Sequence, residues 1–117
     1  MQTLELLKTV LASLDDGKAQ DVKVIDVRGK TSIADYMVVA SGNSDRHVKS
    51  LGARVVEDAK DRGVKPLGVE GEKVGEWVLV DLADIIVHVM LPRVREFYQL
   101  EKFWQGDYAP AVRAATG

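Results

Sequence analysis

The stretch EWVLVDLADIIVHVM, Glu76 to Met90, constrains this fold more than any other. Side chains alternate across a strand, so its two β-branched halves read as a β-hairpin with two apolar faces. With Leu82-Ala83 as the two-residue turn, Asp81 stands opposite Asp84, Leu79 opposite Ile86, and Trp77 opposite His88. One face then carries Val78, Val80, Leu82, Ala83, Ile85, Val87 and Val89. The other carries Trp77, Leu79, Asp81, Asp84, Ile86, His88 and Met90. The first is small and β-branched, the composition of a core packed under helices. The second mixes large apolar side chains with a histidine and two acids at its tip. Aromatic residues and Met are enriched in protein interfaces, and Trp is a frequent binding anchor. Two readings stay open. Helices on both sides of the sheet would bury both faces; otherwise the second face meets another molecule, since a soluble monomer does not leave so large an apolar patch bare. A slip of one residue in register would exchange the faces.

The rest of the chain supplies helices and further strands. Leu4, Leu7, Leu11 and Leu14, widened by Leu6 and Val10, predict an amphipathic helix from about Thr3 to Asp15, capped by Thr3 and ended by Gly17. Val22 to Val27 alternates as a strand, and Arg28-Gly29-Lys30 turns the chain. The continuous apolar run Tyr36 to Ser41 is the pattern of a strand buried on both faces. The period then changes: Val48, Leu51, Val55 and Ala59 share a helical face, with Ser44 as N-cap and Gly63 past the end. Val64 to Val69 reads as a short strand beside Pro66, and Glu70 to Glu76 as a charged, Gly-rich loop. Pro92 opens a last helix in which Val94, Phe97, Tyr98, Glu101 and Trp104 fall near one stripe. The order α-β-β-α-β-β-β-α predicts a single α/β domain, a mixed five-stranded sheet flanked by helices. The domain is expected over residues 1–104, followed by a loose tail over 105–117.

The totals exclude several classes. A net charge of −2 argues against general nucleic-acid binding, which needs a basic surface to displace counterions. No cysteine is present, so no disulfide, Cys-based metal site or thiol nucleophile arises. No apolar run approaches the ~20 residues of a membrane span, and the N-terminus lacks the basic leading segment of a signal peptide. A cytoplasmic location is expected.

Catalysis finds little support. A nucleotidyl-transfer site needs acids close enough to hold two Mg²⁺ ions, yet Asp81 and Asp84 sit three apart across a turn. The segment SGNS, Ser41 to Ser44, precedes a helix but lacks the lysine of a phosphate-binding loop. Neither Ser41 nor Ser44 has a nucleophile-elbow sequence, and Ser44 is explained as a cap. His47 and His88, without Cys, make a weak metal set. The helix start around Arg46, His47 and Lys49 reads as exposed polar surface or a small phosphate-contact patch. The expectation is no enzyme, no cofactor and no metal.

Three segments together, SIADYMVVASGNSDRHVKSLGARV, PLGVEGEKVGEWVLVDLADIIVHVM and REFYQLEKFW, resemble the ribosomal silencing factor family, RsfS or Iojap-like, over about residues 1 to 104. The resemblance implies a nucleotidyltransferase-like α/β fold without that activity. It implies binding to the large-subunit ribosomal protein numbered fourteen in the universal scheme, on the intersubunit face. Occupying that site blocks joining of the small subunit and represses translation under nutrient limitation. Free members of the family are described as homodimers. The motif positions carried over are Trp77, Asp81, Asp84, His88, Met90, Arg95, Tyr98, Glu101 and Trp104. The face reading adds Leu79 and Ile86. The partner-binding set expected is therefore Trp77, Leu79, Asp81, Asp84, Ile86, His88, Met90, Arg95 and Tyr98. Ala83 stands where the family often has Gly. The competing classes are a Mg-dependent nucleotidyltransferase-like enzyme and a self-associating module with no ribosome role.

Overall fold

The two helical periods in the first half of the chain and the apolar runs Tyr36–Ser41, Trp77–Asp81 and Ile85–Met90 find their elements. The computed structural model describes residues 2–100 and 102. Glu101, Trp104 and the expected tail over 105–117 lie outside them. The elements are α1 (Thr3–Asp16), β1 (Gln20–Asp26), β2 (Tyr36–Ser41), α2 (Asp45–Asp61), β3 (Gly68–Glu70), β4 (Trp77–Asp81), β5 (Ile85–Met90) and α3 (Pro92–Tyr98). The strands form one sheet in the order β1-β2-β5-β4-β3. β2 and β5 run parallel, and the other neighbours are antiparallel. A parallel pair needs a long crossover, here made by α2 and the β3–β4 hairpin. The result is the mixed five-stranded α/β sheet that the sequence predicts.

α1 and α2 lie together on one face of that sheet. Leu6, Val10 and Leu14 of α1 meet Val48, Leu51, Val55 and Ala59 of α2, over Val38, Ala40, Val78, Val80, Ile85, Val87 and Val89 from the strands. Each fully buried Val, Leu or Ile contributes about 1.5–3 kcal/mol, so this layer dominates the stability of the domain. Gly52 lets α2 sit close: a Cβ there would come within 2.6 Å of Val78 Cγ1. The α1 stripe is rotated from its expected centre, because Leu4 is exposed and Leu7 and Leu11 lie at the flank.

Both ends of α2 follow the sequence signals. The Ser44 hydroxyl accepts from the His47 amide at 3.1 Å, and Gly63 follows the helix with φ +83°. His47 locks the junction with α1. Its Nδ1 accepts from the Asn43 amide, so Nε2 carries the proton and donates to the Gly17 carbonyl at 2.8 Å. Both ring nitrogens are engaged within the chain, and His47 is therefore a structural clamp rather than part of an open polar patch.

Several boundaries differ from expectation. Gln2, not Thr3, occupies the α1 N-cap, without a side-chain cap bond. The Thr3 hydroxyl instead donates to Asp84 Oδ2 at 2.9 Å. β3 is shorter than the expected Val64–Val69 strand and starts later, after Pro66. The β4–β5 register is shifted by two residues, pairing Trp77 with Met90, Leu79 with His88 and Asp81 with Ile86. The turn residues are accordingly Ala83 and Asp84, with the Leu82 amide bonded to the Ile85 carbonyl at 2.9 Å. The cause lies in Ala83, which takes φ +72°. The Asp84 amide closes back on the Leu82 carbonyl, and the Asp81 carboxylate accepts from the Ala83 amide at 2.9 Å.

Candidate docking surface

Among the described residues, the second face of the sheet is only partly covered. Ile25, Val27, Ala34, Met37, Val39, Met90 and Leu100 form a small core there, with Trp77, Ile86 and Val94 packed at its border. The cover comes from α3, which has seven residues, from Leu100 just beyond it, and from Val27 and Ala34 in the connection between β1 and β2. The last turn of α3 stops where Gln99 takes the left-handed conformation, φ +50°. A helix rises 1.5 Å per residue, so α3 spans about 10 Å and roofs one end of the sheet.

The shift by two residues leaves the composition of each face intact, since alternation has period two. Trp77, Leu79, Asp81, Ile86, His88 and Met90 do share the second face. They do not share an environment. Met90 is 0% exposed, His88 6% and Arg95 8%. These three belonged to the expected partner-binding set, and within this chain they are interior. The physical reason is their place beneath or within the α3 end: Met90 joins Leu100 and Val39 in the core. Arg95 reaches from α3 into the sheet, where Nη1 donates to Ser41 Oγ at 2.9 Å. Their side chains offer little or no surface of their own in the free chain and support the face from behind.

What stays accessible is a strip along β4 and β5. Trp77, Leu79, Asp81 and Ile86 are half-buried, while Asp84 and Glu70 are exposed. Glu70, Leu79 and His88 lie side by side across three strands. Phe97 and Tyr98 extend the strip along α3, 80% and 46% exposed. The aromatic rings are connected: Phe97 meets Tyr98 edge-on at 5.0 Å, Tyr98 meets Trp77 at 4.9 Å, and Trp77 meets His88 at 5.7 Å. Trp77 Nε1–H donates to His88 Nδ1 at 2.9 Å. Burial pushes the His88 pKa down to about 4, because a desolvated site disfavours the charged ring. His88 is thus neutral near pH 7 and free to accept.

The acids at the tip have structural partners. Asp81 holds the turn and Asp84 receives Thr3. The Asp84 carbonyl also accepts from the Asp35 and Tyr36 amides, at 2.8 and 3.1 Å. Among the described residues no three His, Cys, Asp or Glu side chains gather to hold a metal ion, and no helix is long and apolar enough to cross a membrane.

Phe97 is the exposed aromatic that sequence reasoning misplaced, by putting it on the packed stripe of the last helix.

Comparison with known proteins agrees with this architecture. The family model RsfS, ribosomal silencing factor during starvation, matches residues 1–115. The ribosomal silencing factor RsfS of Chromobacterium violaceum is 43% identical over 107 residues, covering 92% of this chain and 88% of its own. A crystal structure of a Chromobacterium violaceum protein superposes with a TM-score of 0.89 at 43% identity, over 92% of this chain and 89% of that one. A more distant relative from Mus musculus, named mitochondrial assembly of ribosomal large subunit protein 1, is 33% identical over 98 residues. The match spans 81% of this chain and 43% of the mouse protein. With its sequence and its fold both matched along nearly their whole length, this chain belongs to the RsfS family of ribosomal silencing factors.

Proposed function

We propose that this chain is a cytoplasmic translational repressor that acts by occupation, not catalysis. It docks on the large ribosomal subunit through the open strip, contacting the protein numbered fourteen in the universal scheme on the intersubunit face. The small subunit then cannot join, and translation falls when nutrients are limiting. The observation that supports this reading is the half-covered second face: Trp77, Leu79 and Ile86 of the sheet, with Phe97 and Tyr98 of α3 beside them, form an apolar, aromatic strip that keeps solvent exposure among the described residues. Family membership supplies the ribosome, and the name of the mouse relative points to the large subunit.

Trp77, Leu79 and Ile86 supply the apolar centre of the contact, and Tyr98 and Phe97 extend it. A standard interface takes about 800 Å² per partner, so the contact spreads from this strip onto the adjoining α3 surface. Asp81, Asp84 and Glu70 lie at the rim, where negative charge speeds approach to a basic ribosomal surface and makes binding salt-sensitive. The free chain pairs with a second copy through the same strip, so self-association and subunit binding compete. Steric exclusion needs neither cofactor nor metal.

Co-sedimentation with purified large subunits, with and without small subunits, tests the reading. The native chain is expected to pellet with large subunits and to reduce joining, whereas Trp77→Ala remains in the supernatant. Normal joining in the presence of bound protein would sink the blocking mechanism. Binding by a folded Trp77→Ala variant at native strength would sink the surface.

A further inference from the structure

We propose that His88 is the positioning residue for Trp77: its Nδ1 lone pair holds the indole N–H inward and so fixes the ring as an apolar anchor on the docking strip. The inference rests on the docking reading above and adds how its central side chain is prepared.

Three observations carry it. His88 is 6% exposed, so it offers almost no surface of its own and acts through what it touches. Trp77 Nε1–H donates to its Nδ1 at 2.9 Å, which requires the neutral ring with its proton on Nε2. Trp77 faces Met90 and Leu79 faces His88 across the β4–β5 pair. Trp77 and His88 are therefore diagonal neighbours on one face, within reach of long rings. Tyr98 closes the other side of the indole at 4.9 Å. The ring is held by a hydrogen bond and by contact with a tilted aromatic neighbour.

The physical consequence concerns desolvation. An indole N–H that gives up water on docking without a new partner weakens the contact. Here that donor is already satisfied from within. The part of Trp77 left towards solvent is hydrocarbon, ready for an apolar partner surface without reorganisation. Burial keeps the imidazole uncharged, so the acceptor is present throughout the neutral range. A strand otherwise made of Val, Ile and Met carries a histidine at this one position, and the indole is its partner.

The test uses the full chain, which has two tryptophans; their indole N–H signals are assigned by NMR with Trp104→Phe. Three variants separate the contributions. Asn at 88 places an amide oxygen near the Nδ1 position, Gln keeps size and polarity but moves the acceptor, and Leu removes it. His88→Leu and His88→Gln are expected to shift the Trp77 indole proton and speed its exchange about tenfold. They are also expected to weaken binding to purified large subunits about fivefold, the loss of one hydrogen bond. His88→Asn keeps both properties near native. In a Trp77→Phe background, His88→Leu causes no further loss of binding. If His88→Leu fails to fold, His88→Gln decides. An indole signal unmoved by His88→Gln overturns the proposal. So does a moved indole with native binding, when Trp77→Ala abolishes binding. If Trp77→Ala itself binds normally, the docking reading has failed, and the indole signal alone decides whether His88 sets the ring.

Discussion

Ile85 and Ile86 are neighbours in sequence and live on opposite faces of one sheet. Ile85 is fully buried under α1 and α2, whereas Ile86 sits half-buried at the border of the open strip. The two faces differ in the same way along their length. One is sealed by two helices of 14 and 17 residues and is built from Val, Ile, Leu and Ala. The other is roofed at one end by a helix of seven residues and carries Trp, Tyr, Phe and acids. The sealed face holds the larger core; the other holds a smaller one and keeps a half-covered strip. Under the proposed function, stability rests chiefly on one side of the backbone and recognition on the other.

The largest effect should come from breaking that division at the two isoleucines. Ile85→Ala is expected to lower unfolding free energy by about 3 kcal/mol, as buried Ile truncations do, with little direct effect on docking. Ile86→Ala should cost under about 1 kcal/mol, since surface changes rarely exceed that, yet weaken subunit binding. Chemical denaturation of both variants beside co-sedimentation measures the contrast. Equal destabilisation by the two would erase the distinction between the faces.

A second effect comes from His88, the polar residue inside the recognition face. Its folded pKa, about 4, lies below the ordinary 6.5. Above pH 6.5 the ring is neutral folded or unfolded, and contributes no pH dependence. Between 6.5 and 4 the unfolded chain takes up a proton that the folded chain refuses, so stability falls as pH falls. The loss reaches about 3 kcal/mol at 1.36 kcal/mol per unit. Denaturation at pH 7 and pH 4 should show a smaller decline in His88→Asn than in the native chain. An identical decline would mean that His88 is accessible to solvent protons in the fold.

Trp77→Ala should cost about 2 kcal/mol of subunit affinity, the threshold of a hot spot. Raising ionic strength should weaken binding of the native chain chiefly through slower association. A salt-independent rate would remove the acidic rim from the mechanism. The smallest effect belongs to the tip joining the faces. Ala83 holds φ +72°, a conformation costing an L-residue about 1–2 kcal/mol. Ala83→Gly should raise stability by about 1 kcal/mol and leave binding unchanged, read by melting temperature.

Much of this was legible in the residues. β2 was readable because a strand covered on both faces needs an unbroken apolar run, and Tyr36 to Ser41 has one. α2 was readable because its stripe, Ser44 cap and Gly63 stop agree. The register was not, because nothing in an alanine announces a positive φ. The partition of the hairpin nevertheless survived, since a shift of two preserves every residue's side. The burial of His88, Met90 and Arg95 was hidden for another reason. An apolar or polar residue on a given face has the same sequence pattern whether a helix covers it or not. The Thr3–Asp84 and His47–Gly17 contacts join distant segments, and no local period encodes such pairs.

The sequence alone determined which side chains share a face, because alternation along a strand is a local property of the backbone. It also determined the helical stripes, for the same reason at another period. Only the tertiary structure decided which face is sealed and how far. That depends on where α1, α2 and the short α3 land, and their positions follow from packing between segments far apart in the chain. Trp77 is therefore a half-buried border residue and Met90 a core residue although they are cross-strand partners.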